Sequence, residues 1–136
     1  MDLNFTASEP SFFPLMPKTV LIVEDYADTR TMMKYLLQGY GYQVIEAENG
    51  QEAVESVKQQ FPDLILMDLS LPVMDGLTAT QLIRQFDGGG KVPIIAVTAY
   101  GNSYYRQAIE AGCDDLINKP LDFNNLEPIL EQYLAS

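Results

Sequence analysis

The sequence contains no histidine and a single cysteine, Cys113. Without histidine the chain cannot be a phosphohistidine carrier, cannot use imidazole as a general base, and lacks the ligand most zinc sites need. A lone cysteine excludes an intramolecular disulfide, which fits a reducing compartment; its ordinary role is that of a small buried apolar residue. Basic residues are also scarce: 8 Lys and Arg against 19 Asp and Glu, a formal net charge of -11. So few cations argue against nucleic-acid binding, which draws mainly on neutralising phosphates. They describe an acidic protein without a specific electrostatic partner. No apolar run approaches a membrane span, and the opening MDLNFTASEP lacks the basic start of a secretion signal. The expectation is a cytoplasmic chain with no membrane attachment. Its 136 residues suit one domain, large enough for folding to hide roughly two thirds of the unfolded surface without covalent staples.

What is present is an alternation. Residues 1–17 carry Pro10, Pro14 and Pro17 with Phe5, Phe12 and Phe13 between them. The prolines disfavour helix and central strand, so this is a terminal tail whose aromatics could dock on a surface. KTVLIV, residues 18–23, is a β-branched run and predicts a first strand. A helix over 27–38 follows, with Met32, Met33, Leu36 and Leu37 as its apolar stripe and Gly39 and Gly41 ending it. A short strand over 42–47 precedes a helix capped by Asn49, with Ala53, Val57 and Phe61 along one side. Residues 63–67 form an apolar run that stops at Asp68; Asp75 then caps a helix carrying Leu77, Leu82 and Ile83. A strand over 92–97 leads to Thr98, a helix over 102–111 ends at Gly112, and a strand over 115–118 leads to Lys119-Pro120. The last helix, about 124–134, has an apolar face of Leu126, Ile129, Leu130, Tyr133 and Leu134, with Pro128 expected in its first turn. Strand and helix alternate five times, which implies an α/β fold with a parallel sheet covered on both faces.

Parallel strands bring their carboxyl ends to one edge, where ligands bind in open sheets. Glu24-Asp25, Asp68, Thr98 and Lys119 all fall at such ends. Clustered carboxylates resist ionising beside one another, and a hard divalent cation such as magnesium, with its preference for oxygen ligands, removes the conflict. Lysine suits a phosphate oxygen as a point charge. A carboxylate nucleophile can take up a phosphoryl group as an acyl phosphate, with Lys119, Thr98 and the backbone N–H groups of Leu69 and Ala99 to neutralise its oxygens. Asp68 is the first candidate.

The set Glu24-Asp25, Asp68 within MDLSLPVMDG, Thr98-Ala99 and Lys119-Pro120 resembles the receiver domain of two-component response regulators, the CheY-like superfamily. The resemblance covers about residues 18–134, so the domain is taken as 18–136. It implies a doubly wound, flavodoxin-like sheet of five parallel strands in the order 2-1-3-4-5. It implies that Asp68 accepts a phosphoryl group from the phosphohistidine of a sensor histidine kinase or a phosphotransfer protein. Glu24, Asp25, Asp68 and the carbonyl of Ser70 would hold Mg2+, Thr98 and Lys119 would contact the phosphoryl group, and Lys119-Pro120 would be cis. The chain then resembles a stand-alone or excised receiver that signals by protein contact through the 102–134 face, where Tyr104, Tyr105 and Tyr133 lie, and not an enzyme acting on other substrates.

Two positions depart from or vary within the family pattern. Many receivers carry Tyr or Phe three residues before the lysine; here that residue is Leu116, so a shift of Thr98 and the loop 99–103, with Tyr100, is expected to carry the signal. Tyr100 and Ser70 occupy positions thought to tune loss of the phosphoryl group, and a bulky Tyr100 predicts a longer lifetime. Two other readings compete. An aspartyl-nucleophile phosphatase commonly has a second acid two residues after the nucleophile, where this chain has Ser70. A scaffold of the same fold that is never phosphorylated need not keep the acidic set.

Overall fold

A computed structural model describes residues 17–86 and 91–135. Residues 1–16 of the expected tail, and the glycines 88–90, lie outside the described residues. The elements run β1 (Thr19–Val23), α1 (Ala27–Gly39), β2 (Gln43–Ala47), α2 (Gly50–Gln59), β3 (Leu64–Asp68), α3 (Gly76–Arg84), β4 (Ile94–Thr98), a 3-10 turn (Gly101–Tyr104), α4 (Tyr105–Ala111), β5 (Asp115–Asn118) and α5 (Phe123–Leu134). The five strands form one sheet in the order β2-β1-β3-β4-β5, all pairs parallel. The expected fold and strand order are both observed.

Because a strand's side chains alternate between faces, each central run divides between two cores. Leu21, Val23, Ile65, Met67, Ile94 and Ala96 pack with Ala53, Val57, Ala79, Ile83 and Ala108 of α2, α3 and α4. Val20, Ile22, Leu64, Leu66, Ile95 and Val97 pack with Met33 and Leu37 of α1 and Leu126, Leu130 and Leu134 of α5. Every residue of β1, β3 and β4 is buried, which is why these strands appear in the sequence as unbroken apolar runs. Asn49 and Asp75 cap α2 and α3 as expected, accepting the N–H groups of Glu52 and Thr78 at 2.8 Å each.

Several boundaries differ from expectation. Asp68 is the last residue of β3, while Asp63 lies outside the strand and its carboxylate accepts the Thr19 N–H at 2.7 Å, tying β3 to the start of β1. Phe61 lies beyond the end of α2 and is exposed, its ring edge-on to Phe86. Met32 is partly exposed, so the buried stripe of α1 is Met33 and Leu37. The single helix expected over 102–111 begins as a 3-10 turn: no side chain caps it, Gly101 has φ +62°, and Ser103 N–H reaches back to Tyr100 O at 3.3 Å. A tightened first turn is one way to satisfy orphan amides. Pro128 is the sixth residue of α5, not in its first turn. The helix nonetheless runs on to Leu134, with a full capping box of Asp122 and Asn125 at its start and four leucine and isoleucine side chains buried on its inner face.

The loop between β3 and α3 is held by close backbone approach. Gly50 N–H donates to Met74 O at 3.0 Å, and a Cβ at Gly50 would lie 2.3 Å from that oxygen. A Cβ at Gly76 would lie 2.2 Å from the carbonyl oxygen of Asp68. Both contacts demand glycine and place the loop over the end of β3. Gly50→Ala is therefore expected to cost about 1–3 kcal/mol through overpacking, read as a lower urea midpoint at unchanged slope; an unchanged midpoint would show that the loop yields freely.

Candidate functional site

The carboxyl ends of β1, β3, β4 and β5 converge on one acidic hollow. Glu24 follows β1 and is almost fully buried, at 1% exposure; Asp68 ends β3 at 3%. Asp25 is exposed beside them, and one carboxylate oxygen from each of the three lies within 4.8 Å of the others. Lys119 enters from the end of β5. Its Nζ donates to Asp68 Oδ2 at 3.0 Å and stands 2.9 Å from Glu24 Oε1. Thr98, the buried last residue of β4, accepts the Tyr100 N–H on Oγ1 at 3.1 Å. Ser70 is exposed, and its N–H donates to Asp68 Oδ1 at 3.0 Å. The Lys119-Pro120 peptide is cis. Glu24, Asp25, Asp68, Ser70 and Lys119 are thus in one place, and Thr98 stands on the neighbouring strand end.

One expected donor is otherwise engaged. The Leu69 N–H continues the sheet, donating to Val97 O at 3.1 Å. The amide that faces the Asp68 carboxylate is that of Ser70, one residue further on, where the chain leaves the ladder.

Electrostatics explain why such a hollow holds together. Burial raises the Glu24 pKa above the ordinary carboxylate value, and Asp68 pushes the same way; Lys119 and the Tyr26 N–H oppose this without cancelling it. For Lys119, burial works against the charge, but the close carboxylates of Glu24 and Asp68 prevail and its pKa is raised. Glu24 Oε2 accepts the Tyr26 N–H at 3.1 Å, whereas the buried Oε1, though close to the ammonium, receives no aligned hydrogen bond. Two buried carboxylates that share one ammonium, with Asp25 beside them in an all-oxygen set, fit a hard divalent cation. Glu24, Asp25 and Asp68 could hold it.

Sequence reasoning gave no place to Arg30. It stands in the first turn of α1, and its Nη1 donates to the main-chain carbonyl of Glu24 at 2.9 Å. The only sequence signal is a basic residue six positions after Glu24, with acids at Glu46 and Glu48 on and after β2. No helix among the described residues is long and apolar enough to cross a membrane.

Comparison with known proteins agrees with this geometry. Residues 20–131 match the family model of the response regulator receiver domain. The polar-differentiation response regulator DivK of Brucella anthropi is 36% identical over 121 residues, covering 88% of this chain and 98% of DivK. The crystal structure of the receiver domain of sensor histidine kinase PA1611 from Pseudomonas aeruginosa PAO1, with a magnesium ion coordinated in its active-site cleft, matches with TM-score 0.81. It is 37% identical and the match covers 89% of this chain and 100% of that one. The receiver domain of Saccharomyces cerevisiae Ssk1, crystallised with the histidine phosphotransfer protein Ypd1, is a structural match with TM-score 0.79. The identity is 34%, over 88% of this chain and 91% of that chain. The chain belongs to the response regulator receiver domain family and is a phosphorylation-controlled switch of two-component signalling.

The raised Glu24 pKa has a stability consequence. A carboxyl that holds its proton more tightly folded than unfolded costs stability as pH rises from the unfolded value of about 4.5 through the folded one. Glu24→Gln removes that cost. In divalent-free buffer the variant is expected to show a higher urea midpoint than wild type at pH 7 and no such gain at pH 4. Equal midpoints at pH 7 would show that Lys119 fully offsets the burial of Glu24.

Proposed function

We propose that Asp68 is the phosphoacceptor of this receiver and that it takes its phosphoryl group from a phosphohistidine. The donor is a sensor histidine kinase or a phosphotransfer protein, as the complex of Ssk1 with Ypd1 suggests by analogy. The observation that carries this reading is the single ammonium of Lys119 shared between two buried carboxylates, Asp68 at 3.0 Å and Glu24 at 2.9 Å. A carboxylate buried only for stability would not need a second buried acid across a shared lysine.

In this reading an Asp68 oxygen attacks phosphorus in line, the O–P bond forms as the N–P bond of the donor breaks, and the imidazole leaves. Charge on the three phosphoryl oxygens then has to be met within the hollow. Lys119 Nζ, already at the carboxylate, transfers its hydrogen bond to one of them. The Thr98 hydroxyl and the Ser70 N–H stand at neighbouring positions to meet the others. Glu24, Asp25, Asp68 and the Ser70 carbonyl would hold magnesium, which would supply further charge neutralisation; the receiver domain of PA1611 carries a magnesium ion in its active-site cleft. The chain acts on itself, gaining and losing one phosphoryl group, and turns over no outside substrate. A protein partner reads the change on the face spanning 102–134, where Tyr105 is exposed; Tyr100, just before it, meets Tyr104 edge to face at 5.7 Å. This reading places its action in the cytoplasm.

Acetyl phosphate with magnesium, followed by intact-mass spectrometry, tests the assignment. Wild type is expected to gain one phosphoryl group and Asp68→Asn none, while Lys119→Met accepts it about 10²-fold more slowly, the usual consequence of losing a group that meets developing charge. Modification of Asp68→Asn to the wild-type extent would move the acceptor elsewhere. For the lifetime, Tyr100→Ala is expected to lose its phosphoryl group faster than wild type, because the ring no longer limits water; equal decay rates would remove Tyr100 from that role.

A further inference from the structure

Arg30 touches neither the carboxylates nor the lysine of the site, yet its side chain, 14% exposed, is more buried than that of Lys119. Nη1 donates to Glu24 O at 2.9 Å, Nε donates to Glu46 Oε1 at 3.1 Å, and Nη2 lies 3.7 Å from Glu48 Oε2. Glu46 is steadied in turn by Lys34 at 3.4 Å. The carbonyl that Arg30 satisfies belongs to the first residue beyond β1, where the ladder ends. The other polar groups of Glu24 are held from different directions: its N–H by Ala47 O at 3.0 Å and its Oε2 by Tyr26 N–H at 3.1 Å. Of these ties, only Arg30 links the Glu24-Asp25 turn to the side chains of the neighbouring strand β2.

We infer that Arg30 is a positioning residue for the divalent-cation site, fixing the turn that presents Glu24 and Asp25 and using Glu46 as its own anchor. This rests on the reading that those acids hold magnesium. Coulomb's law by itself has the opposite sign. A guanidinium beside an acidic hollow repels a second cation, so deleting it would tighten magnesium binding. Positioning makes deletion weaken binding, as loss of outer-shell partners does at other metal sites.

Isothermal titration of the full chain with MgCl2, at neutral pH and fixed ionic strength, separates the two. Arg30→Gln is expected to bind magnesium about tenfold more weakly than wild type. Arg30→Lys keeps the charge but has no planar fork to span Glu24 O and Glu46 together, so it is expected to be several-fold weaker as well. Glu46→Gln is expected to weaken binding too, and the double variant Arg30→Gln/Glu46→Gln to lose less than the sum, because both changes break the same tie. Urea midpoints taken alongside expose a merely structural role, which would lower the midpoint and leave affinity unchanged. Magnesium binding by Arg30→Gln as tight as or tighter than wild type would overturn the inference. Should that variant not fold, wild-type affinity in Arg30→Lys would do the same. Wild type that takes up no magnesium would defeat the metal-site reading itself, and this inference with it.

Discussion

One ammonium group between two buried carboxylates governs the rest of this structure. Glu24 and Asp68 come from strands β1 and β3, and neither has water enough to carry its charge comfortably. Lys119, from the far end of the chain, is the cation that makes them compatible. Buried ion pairs contribute little net stability, because desolvation consumes most of the attraction, but removing Lys119 would strand two buried acids, a loss of the kind that costs about 3–5 kcal/mol. The arrangement is therefore poorly explained as a stabilising device. It is well explained as a site kept ready for additional charge, a cation and then a phosphoryl group, each of which changes what Lys119 bonds to.

The fold serves that site by fixing backbone ends, not side chains. Parallel pairing in the order β2-β1-β3-β4-β5 sets β1 and β3 side by side in the middle of the sheet, so the residues that follow them open at adjacent points of one edge. Two cores, one on each face, back that edge. The loop after β3 is pinned by glycines against Met74 and Asp68 backbone atoms. The turn after β1 is pinned by hydrogen bonds to Glu24 from both sides. The β4 side is held by fewer such ties: the Thr98 hydroxyl accepts the Tyr100 amide, the 3-10 turn has no side-chain cap, and the Tyr100 and Tyr104 rings meet edge to face.

Much of this was legible in the sequence, for identifiable reasons. Strand ends were marked by polar residues after apolar runs, and helix starts by Asn49 and Asp75, whose caps are local chemistry within three residues. The convergence of Glu24, Asp25, Asp68 and Lys119 followed once the strands were taken as parallel. The failures share a different cause. Whether the Leu69 or the Ser70 amide faces Asp68 depends on where the ladder to β4 stops, a matter of register between strands. Arg30 acts on a main-chain carbonyl, which no side-chain pattern announces. Phe61 shares the helical spacing of Ala53 and Val57 but lies past the last turn of α2, and periodicity alone does not reveal where a helix ends. Nothing in the sequence around Pro128 signals that α5 continues past it to Leu134.

The central claim, that Lys119 is the shared counter-charge of an acceptor at Asp68, is tested most directly by a crystal structure of the protein with magnesium and beryllofluoride. The account predicts the beryllium bonded to an Asp68 oxygen, with Lys119 Nζ turned from the carboxylate to hydrogen-bond a fluorine. Beryllofluoride bound away from Asp68, or bound there with the Lys119 ammonium out in solvent, would contradict it.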